Sequence, residues 1–295
     1  MKVRSLLVFS FLALPFMLVV RMFQYAVLTE PQTGFYFPKY VAWGTVIFTA
    51  FVLISAAYIL ISRFILKVRH TLPARSRGLF AGNAFMAVVM GYEALAAAVW
   101  VMLNYRTQSL VYTGGNGWNK TLPAVFSAVD WGGLLLAVFA ALSAVGFVFE
   151  ALRYKKSAQP KSLLTVPPVL WSIMKLSLCF IRSTGLASIS ENLFDTLFLC
   201  LLTVFWLLHA RIAAGIGRDT TVKWVYGVGL SATLFGVAAA IPRLFILIAP
   251  RLLFTTADID SILRNSESFD PVFLAVCVYI PLFLIVLGRR PKAQR

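Results

Sequence analysis

Residues Arg21 to Gly34 read RMFQYAVLTEPQTG: an apolar run that carries an arginine inside it and then stops at a proline and a glycine. Pro31 has no amide hydrogen and cannot continue a helix, while Gly34 accepts positive φ, so the run that begins near residue 5 ends here in a turn. Arg21 and Gln24 are three residues apart and share one helix face, a turn or two below the surface of the membrane. A cation at that depth requires partners from other helices. The fold expected from this stretch is therefore a membrane bundle in which later spans supply the counter-charges.

The rest of the chain fits that expectation. It has 295 residues, 60% of them hydrophobic and 13% charged, with a mean hydropathy of +0.84. No water-soluble core hides that much apolar surface. A span of roughly 20 apolar residues crosses the hydrocarbon layer as a helix, because backbone groups in lipid must be satisfied within the segment. Eight such spans are predicted, at residues 5–28, 39–66, 79–103, 123–152, 166–186, 188–215, 222–249 and 271–288. The fold class is all-α, a polytopic transmembrane bundle forming a single transmembrane domain over residues 1–295.

The net charge of +16 follows from topology. Lys67, Arg69, Arg75 and Arg77, then Arg153, Lys155, Lys156 and Lys161 fall in alternate joints, and Arg289, Arg290 and Lys292 follow the last span on the same side, whereas the opposite joints hold few basic residues. The positive-inside rule then places both termini in the cytoplasm. A basic tail against anionic headgroups explains the charge, and no nucleic acid partner is expected. Cys179, Cys200 and Cys277 lie in different spans without a CxxC pattern and read as small buried apolar residues. The N-terminal run reads as a retained helix, since it is long for a signal sequence and contains Arg21.

Within the spans, small residues and charges carry the information. Span three is rich in glycine and alanine and is expected to be central, with a loop beginning at Asn104. Phe35, Tyr36 and Phe37 are expected in an interfacial aromatic belt. Span four is expected to start at Pro123 and to hold Asp130 within the helix. Ser172, Lys175, Cys179 and Arg182 form one helical stripe on span five. Ser188 and Glu191 resemble a capping box opening span six, whose His209 and Arg211 are expected to reach headgroups. In span seven Pro242 leaves the carbonyl of Ala238 without its helical donor, beside Arg243. Residues 255–263 read as a short amphipathic surface helix.

Counted down from the predicted far ends at ~1.5 Å per residue, Arg21, Asp130, Asp195 and Arg243 come about 10 Å deep, Arg182 about 6 Å, Glu93 about 15 Å and Lys175 about 17 Å. Together with Gln24 they form the candidate site. One reading is an outward-facing polar pocket in which arginines hold a small anionic solute for transport or sensing. Its competitor is a non-catalytic scaffold or complex subunit whose ion pairs set helix order. An intramembrane lipid-modifying or proteolytic enzyme trails both, since no HExxH, GxSxG, Walker loop or metal-ligand spacing occurs and no cofactor is implied. Beyond the lipid bilayer, a sensor of this form would need a partner membrane subunit, because no cytoplasmic domain is expected.

The segment RMFQYAVLTEPQTGFY resembles the first-span region of uncharacterised multi-pass membrane proteins of clostridial and related bacteria. The resemblance covers sixteen residues. It implies a multi-pass protein of the bacterial cell membrane and brings no activity or site residue with it.

Overall fold

The computed structural model describes residues 3–28, 36–67, 77–112, 130–153, 162–183, 189–248 and 269–288. The helices are α1 (Val3–Phe23), α2 (Val41–Leu60), α3 (Arg77–Tyr112), α4 (Trp131–Arg153), α5 (Pro167–Ser183), α6 (Ile189–Ala213), α7 (Asp219–Ile248) and α8 (Pro271–Leu287). Seven helical segments among the described residues are long and apolar enough to cross a membrane, and α8 is a shorter apolar helix of 17 residues. The chain is thus a multi-pass membrane protein in contact with lipid. Single π-helical turns extend α1 over Gln24–Leu28 and α2 over Ile61–Ile65.

Helices consecutive in the chain run in opposite directions. Gly133 near the start of α4 lies against Val101 late in α3, Gly227 early in α7 against Ile59 late in α2, and Gly288 after α8 against Val3 at the start of α1. One end of the bundle therefore carries Val3, Arg77 and Leu287. It is called the basic end below, because the basic joints flank it.

Helix α7, and not α3, is central. In its most apolar window 83% of residues are buried, against 22% for α3. The physical difference lies in what the small residues face. On α7, a methyl group at Gly227 would meet the backbone of Ile59 at 2.8 Å, and one at Gly229 would meet Ile280 and Leu284 of α8. On α3, Gly91 has nothing within 4 Å, and Val88, Leu95 and Met102 face outward. Gly227→Ala should separate α2 from α7, costing about 1 to 3 kcal/mol by overpacking against backbone; a lowered midpoint of thermal unfolding in detergent is the expected readout.

Around α7 the chain divides in two. Helices α1 and α2 pack on one side of it, while α3, α4, α5, α6 and α8 form a ring on the other, α3 touching α4 and α8, and α5 touching α4 and α6. The α6–α8 side closes through large rings, Phe198 on Phe273 and Phe205 on Phe283. Phe147 of α4 reaches across to Trp206 of α6 and Tyr279 of α8, so the ring is filled by aromatic side chains.

Two boundaries differ from the sequence reading. Helix α3 runs to Tyr112 instead of stopping at Asn104, because no glycine or proline interrupts the run before Gly114. The described part of α4 begins at Trp131, with Asp130 just outside it. The Tyr36 hydroxyl bonds to Gln24, and its ring lies where a side chain at Gly44 would otherwise stand. The capping pair at 188 and 191, the Pro123 start and the helix expected over 255–263 lie outside the described residues or side chains.

Candidate functional site

The expected charges separate into two groups, one across the α6–α7 contact and one within the ring. In the first, Arg243 of α7 donates from both terminal nitrogens to Asp195 of α6, Nη1 to Oδ1 at 3.2 Å and Nη2 to Oδ2 at 2.7 Å. Both side chains are buried. The planar fork matches the carboxylate, so the pair is complete in itself.

One helical turn away the Pro242 ring removes the donor that Ala238 O would otherwise receive. Arg21 of α1 supplies it, Nε donating to Ala238 O at 3.2 Å, while Nη1 donates to Gln24 Oε1 at 2.9 Å. Its guanidinium also lies 4.1 Å from the centre of the Phe194 ring, a cation–π contact next to Asp195. Gln24 in turn donates to the Tyr36 hydroxyl and to Gly44 O. A buried arginine beside the proline-freed carbonyl was legible in the sequence. That it would be Arg21 from another helix, and not the adjacent Arg243, was not.

The second group lies in the ring. Lys175 of α5 places Nζ 2.5 Å from Glu93 Oε1 of α3 and 2.7 Å from Asp270 Oδ2 at the start of α8. The rings of Phe273 and Trp171 stand 5.6 Å and 6.0 Å from the same ammonium. The other oxygen of Asp270 accepts from the Val272 amide at 2.9 Å, the N-cap bond of α8 with Pro271 in the first turn. Asp270 was missed as a site residue. It stands just ahead of the eighth predicted span, 271–288; α8 is only 17 residues long, and its first turn lies level with Glu93, well inside α3.

No family model matches this chain, and no curated protein and no solved structure matches it either. Function must therefore be argued from these contacts alone.

Two of the expected site residues stand apart. Asp130 precedes α4 and accepts from the Gly133 amide at 2.9 Å, the bond of an N-cap. The backbone of Arg182 continues the α5 stripe, and its side chain lies outside the description.

A further polar group, which the sequence reading had assigned to headgroups, is in the ring interior near the basic end. His209 is 4% exposed. Its Nε2 is 3.1 Å from the Tyr279 hydroxyl, which donates to Asn83 Oδ1 at 3.0 Å. Since the hydroxyl hydrogen goes to Asn83, the tyrosine oxygen accepts from His209 and Nε2 carries the hydrogen. Phe205, Trp206 and Phe283 surround the imidazole. The predicted span 188–215 put His209 near its inner end, where a headgroup contact is the default; only the arrival of α8 and α3 converts that position into interior.

Proposed function

We propose that this protein transports or senses a small solute in a bacterial cell membrane, with the α3–α6 and α8 ring as its working part and the arginine contacts on α1, α6 and α7 as its frame. The observation that carries this is the composition of the ring site: one ammonium bracketed by two carboxyl groups, with no second cation contacting them among the described residues. The arginines are engaged, Arg243 with Asp195 and Arg21 with Gln24 and Ala238 O, so neither offers an open fork to an anion. A small cation fits the remaining chemistry better than the anionic solute first expected.

Thermal unfolding of the purified protein at constant ionic strength tests this. Sodium, potassium or methylammonium should stabilise it saturably relative to choline, since a ligand bound only by the folded state at 100 times its Kd adds about 2.7 kcal/mol. Glu93→Gln and Asp270→Asn should each remove the effect. Equal midpoints in all four salts would refute the cation reading. The scaffold reading keeps one observation of its own, the closed Arg243–Asp195 pair, which needs no ligand to be satisfied.

A further inference from the structure

Helices α1, α2, α7 and α8 leave a shallow cleft between them, lined by Phe11 and Leu14 of α1, Tyr58 of α2, Leu230 and Thr233 of α7, and Pro281 of α8. Its two aliphatic hydroxyls are already committed within their own helices: Ser10 donates to Leu6 O at 2.9 Å and Thr233 to Gly229 O at 2.9 Å. The surface left over is apolar. Phe11, on the rim, is 50% exposed and stands eight residues into α1, about 12 Å along it, where the surroundings are acyl chains. A hydrocarbon chain suits this cleft and a polar solute does not.

Toward the basic end the same helices turn cationic. Arg4 precedes Phe11 by seven residues and Lys223 precedes Leu230 by seven, so each lies on a helix face that lines the cleft, about 10.5 Å from it along the axis. Gly288 stands beside both Val3 and Tyr226, which brings the turns carrying Arg4 and Lys223 to one level. Arg63, Lys67 and Arg218 belong to the same end of α2 and α7, five cations against the single carboxyl group of Asp219 on these helix ends. Among the described residues no carboxylate pairs with Arg4 or Lys223. We propose that the cleft holds one anionic phospholipid from the leaflet at the basic end, its phosphate between Arg4 and Lys223 and one acyl chain along Phe11, Leu14 and Leu230. Charge complementarity selects this occupant: a zwitterionic lipid brings a further cation to a cluster of five, and a soluble phosphate leaves the apolar part unfilled. Bound there, the lipid joins α1 to α7 on the basic side of the Arg21 contact with Ala238 O and leaves the ring site untouched.

Native mass spectrometry of the whole chain in detergent, with phosphatidylglycerol and phosphatidylcholine of identical acyl chains in equal amounts, tests this. One phosphatidylglycerol should be retained per protein in preference to phosphatidylcholine. A basic residue at a membrane surface is worth about fivefold in affinity for an anionic lipid, so Arg4→Gln and Lys223→Gln should each lower the ratio of the two lipids by about that factor. Leu14→Trp, which fills the cleft from its rim, should reduce retention with both cations in place. Arg211→Gln, an exposed basic-end cation on α6, should leave the ratio unchanged. All four variants are first matched to the native protein in elution profile and lipid-free unfolding midpoint. Equal retention of the two lipids, retention that climbs without levelling at one, a ratio unmoved by Arg4→Gln and Lys223→Gln, an equal fall in Arg211→Gln, or full retention in Leu14→Trp would each overturn the site. Retention of glycerol phosphate as firm as that of the lipid would also overturn it, by showing that the cleft takes no chain.

Discussion

Asp195→Ala should be among the most damaging single substitutions in this protein. It leaves the Arg243 guanidinium buried with its two-pronged contact gone, and uncompensated charges of this kind cost about 3 to 5 kcal/mol. The reverse truncation, Arg243→Ala, should cost a similar amount by stranding the carboxylate. Exchanging the two, Asp195→Arg with Arg243→Asp, should restore most of the loss, because the contact joins α6 and α7 and depends on the presence of both signs more than on which helix carries which. The midpoint of thermal unfolding in detergent for the two single variants and the exchange checks this. An exchange no better than either single variant would show that the guanidinium holds a further partner that a swapped pair cannot reach.

Lys175→Met should be as severe for a different reason. Removing the ammonium places the carboxyl groups of Glu93 and Asp270 together in an apolar ring with no cation between them, again a loss of about 3 to 5 kcal/mol. Adding Glu93→Gln to that variant should recover much of it. Asp270 then remains with the Val272 amide and the N-terminus of α8, which suit a carboxylate. Asp270→Asn in the Lys175→Met background should recover less, since Glu93 has no such backbone donor among the contacts described. If Lys175→Met were as stable as the native protein, the three groups would be hydrated and the ring site would be an open vestibule.

Much of the fold was legible because a bilayer allows few solutions. The helices from Pro38 to Ile65, from Ile189 to Ala213 and from Pro271 to Leu287 fall within a few residues of the stretches marked by apolar length alone. Failures came where two signals looked alike in one dimension. Glycine and alanine mark close approach on both α3 and α7, and sequence does not say whether the approaching surface is two neighbours or four. An aspartate ahead of tryptophan and glycine at 130 reads equally as a mid-helix charge or as the cap it proves to be.

Apolar length, proline positions and the presence of ions in lipid-length runs were sufficient to dictate a helical membrane bundle with paired charges, since unsatisfied backbone and lone ions are both intolerable in hydrocarbon. Which charges meet was decided by tertiary structure. Depth along a helix is a single coordinate that sequence supplies, whereas pairing also needs the rotation of each helix and the order of helices around the bundle. Those are set by packing across residues far apart in the chain, and they sent Asp195 to Arg243, Arg21 to the Ala238 carbonyl, and Asp270 to Lys175.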